Sequence, residues 1–227
     1  MSLSVHMGRV AESCLYRSTN LPAAGAVTIM CWYKYTSDSV TVPIAISLVN
    51  SAGTAARSFG RNLLASSDTW EFSANTMVEL SPQLTTGRWH HVAIACSAVS
   101  GATSLLYLDG TLAATDTSAA LTPAWLCFGS LAPLATGYWA NHQFAAIKIW
   151  NRALTATEVI AEIPFALPYN WHGLNSCGPF ATAWERLAWG RGFKTASVNP
   201  YADWSGNGDR NWTVYGTVDL DIGPPIG

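Results

Sequence analysis

Charged residues are scarce in this 227-residue chain, since Asp, Glu, Lys and Arg make up 11% of it, against roughly 25% in typical soluble domains. The 12 basic residues are scattered among 14 acidic ones. This scatter excludes the basic patch on which binding to nucleic acid or to an anionic membrane depends. The low charge indicates either a surface rich in small polar residues or a surface covered by other subunits. The second explanation predicts a homo-oligomer.

Long apolar runs are also absent, because Pro and Gly interrupt every stretch well short of the ~18 residues needed to span a bilayer. The segment from Met1 to Val10 has no apolar core, so we expect no secretory signal peptide. No C-x-x-C spacing supports a zinc site. The odd number and wide spacing of the cysteines predict mostly unpaired, buried thiols, with one disulfide left open. The cysteines are Cys14, Cys31, Cys96, Cys127 and Cys177.

The segment from Arg88 to Thr115 carries the clearest structural pattern. From Trp89 to Ser97, both alternating sets of residues are largely apolar, which is typical of a strand buried on both faces. A turn at Val99–Gly101 precedes a second apolar strand at Thr103–Leu108. Asp109-Gly110 then predicts a type I′ hairpin turn, because that turn needs positive φ at both central residues. The segment therefore predicts a three-strand antiparallel meander at the centre of an all-β sandwich.

Three motifs in this chain resemble those of one known superfamily. Trp89–Ala93 (WHHVA) together with Leu106–Gly110 (LYLDG) is similar to the core signature of laminin-G-like, concanavalin A-like lectin/glucanase jelly rolls. Phe144–Thr155 and Val27–Tyr33 match two further strands of that family, in the family's order. Ala145 departs from the pattern, since the family often has Gly there. The resemblance implies an antiparallel jelly-roll β-sandwich with one short helix, and it implies little about the ligand.

The short helix is predicted at the end of the Phe144–Thr155 motif. Thr155-Ala-Thr-Glu158 is a capping box, and Leu154 and Val159 are spaced as its hydrophobic staple. The helix has to end by Pro164, which cannot continue it. A second short helix is expected around Phe180–Trp189.

We expect one jelly-roll domain over residues 1–227. Its parts are a main sandwich at 1–163, an irregular Pro- and Trp-rich excursion at 164–202, and a closing strand within 203–227. The last strand is too apolar to lie free in solvent, so we expect it to return and complete the sandwich.

No catalytic constellation is apparent, so we predict that the protein is not an enzyme. Glycoside hydrolysis needs two carboxylates across a cleft, and the glucanase relatives carry E-x-D-x-x-E on one strand, which is missing here. Asp219 and Asp221 form the only acid pair at strand spacing, and a solvated face near the terminus explains them. His90 and His91 point to opposite faces of a strand and cannot share a metal. A glycoside hydrolase remains the remote alternative.

A calcium loop is a weaker hypothesis for one polar segment. Asp203, Ser205, Asn207 and Asp209 place oxygen ligands at positions 1, 3, 5 and 7, with Gly at position 6, as at the start of an EF-hand. Position 12 is Val214, where an EF-hand needs a bidentate Glu. A multi-residue turn explains the same composition. We therefore expect no cofactor, with calcium as the alternative.

Aromatic residues outside the predicted strands are the candidates for stacking on sugar rings. The resemblance places Trp32, Trp89 and Trp150 on core strands, so we expect these three to be buried. The alternative role for the loop aromatics is to plug the sandwich or a subunit contact. The glycan-binding candidates are Tyr138, Trp139, Trp171, Trp184 and Trp189.

The order of these parts is a jelly roll, a short helix, an irregular Pro- and Trp-rich segment and a closing strand. This order looks like that of proteins encoded by phages and found in environmental sequences. Together with the low charge, it predicts a non-catalytic virion-surface protein, either a decoration or a tail-associated component. Its partners would be its own copies, other virion structural proteins and a surface glycan. The alternative is a monomeric, extracellular lectin-like module that binds carbohydrate with or without the assistance of calcium.

Overall fold

The structure is a computed structural model that describes residues 3–7, 14–19, 21–22, 26–38, 43–53, 56–62, 69–132, 138, 140–162, 185–187, 213–215 and 218–222. The first sheet consists of β1 (Leu3–Met7), β3 (Val27–Asp38), β8 (Trp89–Cys96), β9 (Thr103–Leu108), β10 (Thr111–Thr117), β12 (Ala140–Trp150), β13 (Glu185–Leu187) and β15 (Val218–Ile222). The second sheet consists of β2 (Cys14–Arg17), β4 (Ile44–Val49), β5 (Ala56–Asn62), β6 (Thr69–Ser73), β7 (Met77–Glu79), β11 (Trp125–Phe128) and β14 (Thr213–Tyr215). One helix, α1, spans Ala156–Glu162.

The strand order confirms the predicted antiparallel jelly-roll sandwich. The first sheet runs β10-β9-β8-β3-β12-β1-β15, and β13 also pairs with β12. The second sheet runs β14-β2-β11-β4-β5-β6-β7. Strands β14 and β15 pair with β2 and β1, so the last strands meet the first ones in both sheets. Among the described residues, no helix is long and apolar enough to cross a membrane.

The central meander has the predicted form. Strands β8, β9 and β10 are successive antiparallel neighbours. The turn between β9 and β10 has φ of 49° at Asp109 and 84° at Gly110, as a type I′ turn requires. Since only residues that tolerate the left-handed region fit there, the Asp-Gly pair fixes the register of the hairpin.

Both faces of the central strands are buried, as the sequence predicts. On the inner face of β8, Val92, Ile94 and Cys96 pack in the main core between the two sheets. On its outer face, Ala93 and Ala95 belong to a second apolar cluster with Met30, Tyr107, Trp150, Leu154 and Val159. Helix α1 contributes Val159 to this cluster, so the helix covers the outer face of the first sheet.

The capping box of α1 is present in the structure. The Thr155 amide donates to the Glu158 carboxylate (2.8 Å), and the Glu158 amide donates to the Thr155 hydroxyl (3.3 Å). Hydrogen bonds from the Arg152 side chain and the Thr155 amide lower the pKa of Glu158 to about 2. Leu154 and Val159, the predicted staple, are both buried. These contacts fix the position at which the helix begins over the sheet.

Two predictions about the helix and the tryptophans are wrong. Glu185–Leu187 is a strand that pairs with β12, not part of a helix over 180–189. Trp32 and Trp89 are partly exposed on the outer face of the first sheet, whereas Trp150 is buried as expected. Alternation alone cannot show which apolar face is inside when both faces are apolar.

The predicted state of the cysteines holds for the four that are described. Cys14, Cys31, Cys96 and Cys127 are free and buried, and burial raises the pKa of Cys14 and of Cys96 to about 12. Such thiols remain protonated and inert at neutral pH. Cys177 lies outside the described residues.

The two adjacent histidines have opposite environments. The His90 ring accepts a hydrogen bond from the Thr85 amide at Nε2 (3.1 Å), so its Nδ1 carries the proton and donates to Asp109 (2.7 Å). Asp109 also accepts from the His91 amide (2.8 Å). Burial alone would raise the pKa of Asp109, but these hydrogen bonds and the charge of Arg88 hold it below its usual value. His90 and Asp109 thus fasten the β9–β10 turn to β8.

His91 is buried without such support, since neither ring nitrogen has a hydrogen-bond partner among the described residues. Its ring lies edge-on to Trp32, with centroids 5.8 Å apart. Burial lowers the pKa of His91 to about 4; the Asp109 charge opposes this shift and the Lys148 charge adds to it. The ring is therefore neutral in the folded protein at neutral pH.

A second group of hydrogen bonds joins the two sheets at the other end of the meander from Asp109. The Arg57 guanidinium donates to the carbonyls of Ala74 (2.6 Å), Ser97 (3.0 Å) and Ala119 (2.6 Å). Asp116 accepts from the amides of Ala74 (2.8 Å), Asn75 (2.7 Å) and Thr76 (2.9 Å). Burial would raise the pKa of Asp116, but these bonds and that from the Thr76 hydroxyl lower it overall. The bonds of His90 and Asp109, and those of Arg57 and Asp116, thus satisfy backbone polar groups where strands end.

Replacing Asp116 with Asn should destabilise the protein, because an amide nitrogen would face amide donors and the charge-assisted bonds would be lost. We expect a loss of about 2 kcal/mol in the free energy of unfolding at neutral pH. The deficit should shrink as pH falls below about 4, because the depressed pKa of the wild-type carboxylate means its stabilising contribution is itself lost in acid. Urea titrations at several pH values measure this. Thr115→Ser, on the same strand, is the control, and equal stability of both variants would contradict the role assigned to Asp116.

Replacing His91 and His90 with Phe, one at a time, should affect the free energy of unfolding differently. His91→Phe keeps the ring packing and should change stability little at pH ~7.5. Wild type should lose about 2 kcal/mol between pH ~7.5 and ~5, because the unfolded His91 takes up a proton below its ordinary pKa of 6.5 while the folded one does not until about 4. This loss should be absent from His91→Phe. His90→Phe should cost about 1–3 kcal/mol at pH ~7.5 through the stranded Asp109 and Thr85 groups. Urea unfolding at both pH values measures this, and equal acid sensitivity in wild type and His91→Phe would contradict the account.

Candidate functional site

Most of the predicted site residues lie outside the described residues. These are Trp139, Trp171, Trp184 and Trp189 among the aromatics, and Asp203, Ser205, Asn207 and Asp209 of the calcium hypothesis. Both hypotheses therefore remain predictions for those positions. Tyr138 is described and partly buried, and its carbonyl accepts a hydrogen bond from the Ile44 amide (3.1 Å). Tyr138 thus lies where β4 begins.

A polar pocket opens beside Ile44 on the outer face of the second sheet. The pocket is shallow: its cavity volume is about 10 Å³, roughly the room that one water molecule needs, and the 210 Å³ of empty space over it includes open solvent. Strand pairing aligns Ser58, Ser73 and Met77 in one row across β5, β6 and β7. Gly60, Glu71 and Glu79 form the next row, since Gly60 pairs with Glu71 and Glu71 with Glu79. The lining of the polar pocket is Ile44, Ser58, Gly60, Arg61, Glu71, Phe72, Ser73 and Met77.

Gly60 is required for the shape of the pocket floor. A Cβ at this position would lie 2.6 Å from the Pro43 carbonyl oxygen and 2.7 Å from Ile44 Cδ1. The Arg61 amide donates to that same Pro43 carbonyl (2.9 Å). The register between β4 and β5 shifts at this point, between Ile44 and Ile46. The close approach of β4 to β5 beside the pocket therefore depends on glycine.

Carboxylates lie beside the pocket, whereas the Arg61 side chain points away from it. Arg61 pairs with the core residue Trp70, and its guanidinium lies 5.1 Å from the centre of the buried Tyr35 ring, a cation–π contact that restrains the arginine between the sheets. Glu71 and Glu79 are directly opposite each other on β6 and β7, and Gln83 donates to Glu79 (3.3 Å). Met77, with 57% of its surface exposed, adds an apolar edge.

This pocket could not be predicted from the sequence, because its residues come from four strands. Glu71 and Glu79 are eight positions apart, so no spacing within one strand marks them as an acid pair. The hairpin pairing that brings Ser58, Glu71 and Ser73 together follows from turns that fall at poorly patterned segments.

A second exposed feature lies on the opposite side of the sandwich, on the outer face of the first sheet. We name it the aromatic face; it consists of Trp32, Lys34 and Trp89, all partly exposed. Lys34 pairs with Trp89 across β3 and β8, and its ammonium nitrogen lies 5.9 Å from the centre of the Trp89 ring. Trp32 pairs with the buried His91 in the next row. Among the described residues, no three His, Cys, Asp or Glu side chains converge to hold a metal ion.

Solved structures share this fold at low sequence identity. A "putative carbohydrate binding protein" from Bacteroides ovatus superposes with a TM-score of 0.63 and 14% identity over 100% of this chain and 62% of its own length. The heptameric SAP-like pentraxin of Limulus polyphemus superposes with a TM-score of 0.53 and 17% identity over 70% of this chain and 81% of its own. This chain thus spans less than two thirds of the Bacteroides protein.

The sequence-based comparisons give a family and no individual relative. No curated protein sequence matches the chain significantly. The sequence model of a laminin-G-like family, described as the concanavalin A-like lectin/glucanases superfamily, matches residues 11–160. That match covers more than half of the chain and includes the WHHVA and LYLDG motifs and the polar pocket. The chain therefore belongs to the concanavalin A-like lectin/glucanases superfamily, as a laminin-G-like domain.

Proposed function

We propose that the protein is a non-catalytic carbohydrate-binding module and that the sugar binds on the outer face of the second sheet, over the polar pocket. The observation that carries this proposal is the convergence of hydroxyl and carboxylate groups from β5 and β6 on one open pocket with an apolar edge. Sugar recognition uses directional hydrogen bonds to hydroxyl groups together with an apolar contact to the ring. Ser58, Glu71 and Ser73 can supply the bonds, and Met77 can supply the contact.

The scaffold beneath the pocket supports such a role. Phe59, Trp70 and Phe72 pack on the inner side of the same strands, where Phe59 and Trp70 stack with centroids 5.3 Å apart. Side chains on such rigid strands lose little entropy when a ligand orders them. The similarity to the Bacteroides protein, whose name refers to carbohydrate binding, agrees with this assignment at the level of fold.

Variants of the pocket should separate binding from folding. Glu71→Gln and Ser73→Ala should each weaken glycan binding about five- to tenfold, since each removes one hydrogen bond made only in the complex. Gly60→Ala should abolish binding and also destabilise the protein through the contacts with Pro43 and Ile44. The measurement is a screen of the wild-type protein on a glycan array, followed by calorimetric titration of the best ligand.

Thr115→Ser, on the opposite sheet, is the control and should bind like wild type. Unchanged affinity in both pocket variants would overturn the assignment of the site. The cross-strand Glu71–Glu79 pair has the residue types that a glycosidase uses, so release of reducing sugar should be assayed with the same ligand. We expect none; release that is lost in Glu71→Gln would show an enzyme instead.

The virion-surface hypothesis stays a second proposal, favoured by the low charge content of 11%. It expects a homo-oligomer whose contacts bury part of the apolar surface. Light scattering after size exclusion, with calcium and then with chelator, tests it. A trimer or larger species would support assembly, and a monomer in both buffers would contradict it. A change in mass or thermal stability upon chelation alone would support a calcium site at Asp203–Asp209.

A further inference from the structure

Met77 carries an exposed thioether at the edge of the polar pocket. The residue is 57% exposed, whereas Met30 is 0% exposed in the apolar cluster that α1 covers. The four described cysteines are also buried, and burial raises the pKa of Cys14 and of Cys96 to about 12, so these thiols stay protonated at neutral pH. An oxidant in solution therefore reaches the sulfur of Met77 before it reaches these buried sulfurs.

The position of Met77 beside the pocket is fixed by its neighbours. Val78 packs against the main core, so alternation along β7 places Met77 on the outer face of the second sheet. Met77 pairs with Ser73 across β6 and β7. The preceding residue, Thr76, donates its amide (2.9 Å) and its hydroxyl (2.9 Å) to Asp116. A chemical change at the sulfur would thus alter the apolar edge of the pocket without releasing the strand from the sheet.

Hydrogen peroxide and related two-electron oxidants convert an exposed thioether to its sulfoxide. A sulfur lone pair attacks one peroxide oxygen, the O–O bond breaks, and the second oxygen leaves as water. Sulfur loses two electrons in this step and the peroxide gains them. The product carries a polar, hydrated S=O group in place of an apolar sulfur. Methionine sulfoxide reductases reverse the change, with a dithiol as reductant and water as the second product.

We propose that Met77 is a site of reversible oxidation and that its oxidation weakens sugar binding at the polar pocket. This inference rests on the proposed function, in which Met77 supplies the apolar contact to the sugar ring. A sulfoxide oxygen holds water that the ring has to displace, so the apolar contact is lost. Ser58, Glu71 and Ser73 keep their hydrogen-bonding groups, so the sugar is bound more weakly but not released altogether. The pocket therefore binds sugar more tightly under reducing than under oxidising conditions.

Treatment of the full chain with hydrogen peroxide, followed by peptide mass spectrometry, tests the modification. We expect the peptide with Met77 to gain one oxygen atom at peroxide concentrations that leave the peptide with Met30 unchanged. Unfolding in urea before treatment should remove this difference, because Met30 is then exposed as well. Equal oxidation of the two methionines in the folded protein, or none at Met77, would overturn the proposal.

Treated and untreated protein are then compared on one array of neutral hexose and N-acetylhexosamine oligosaccharides, with calorimetric titration of the oligosaccharide that binds best. We expect oxidised wild type to bind about five- to tenfold more weakly, because apolar area is lost at the edge of the pocket. The two methionine sulfoxide reductases, one for each epimer, should restore the affinity in the presence of dithiothreitol. Unchanged affinity in protein that carries the sulfoxide at Met77 would contradict the proposal.

Variants assign the effect to Met77. Met77→Leu removes the sulfur and should bind about twofold more weakly than wild type, since leucine is shorter, and peroxide should weaken it no further. Untreated Met77→Gln, with a polar amide of similar length, should bind like oxidised wild type. Met30→Leu is the matched control and should lose affinity upon treatment as wild type does. Loss of affinity upon treatment of Met77→Leu would show that another residue responds to peroxide, and the assignment would be wrong.

The proposed function and this inference fail in different ways. If untreated wild type binds none of the oligosaccharides on the array, the pocket is not a sugar site, and the proposed function and its regulation both fall. If untreated wild type binds, Glu71→Gln weakens that binding and oxidation of Met77 does not, the proposed function stands and only the regulation by Met77 is contradicted.

Discussion

Burial of β3 and β8 on both faces is the constraint on which the rest of this structure depends. Their inner residues fill the space between the sheets, and their outer residues, such as Met30 and Ala93, need a second cover. Helix α1 provides part of that cover, which explains why a capping box and staple set its start so firmly. It also contributes to the low charge, since strands buried on two faces leave few positions at which a charged side chain can reach water.

The polar groups that the strands must carry are concentrated where the strands end. Asp109 with His90 fastens one turn, and Asp116 with Arg57 fastens the other end of the meander to the second sheet. Each carboxylate accepts several donors in place of water, so burial costs less than the bonds return. His90 of the WHH motif and the Asp-Gly pair that mark the family are therefore explained by hydrogen bonding and turn geometry within the fold. They reveal the scaffold and carry no information about a ligand.

Short sequence patterns correctly predicted the features that depend only on neighbouring residues. The turn at Asp109-Gly110, the capping box at Thr155 and the free cysteines follow from residue types and short spacings. Placement of Trp32 and Trp89 in the core was wrong because both faces of β3 and β8 are apolar, and only long-range packing decides which face meets the other sheet. Likewise, β13 lies beside β12 because of a pairing across almost forty residues, in a segment whose composition shows no period. The polar pocket is assembled from four strands, so no single segment of the sequence predicts it.

The same constraint limits where a ligand can bind. The inner faces are filled, and α1 covers the part of the first sheet around Trp150. Among the described residues, the outer face of the second sheet carries an open pocket that Glu71 and Ser73 face. This pocket combines carboxylate and hydroxyl groups with the exposed side chain of Met77, on strands whose inner side is packed. With one filled core, groups that recognise a ligand can lie only on the faces that the sheets leave exposed.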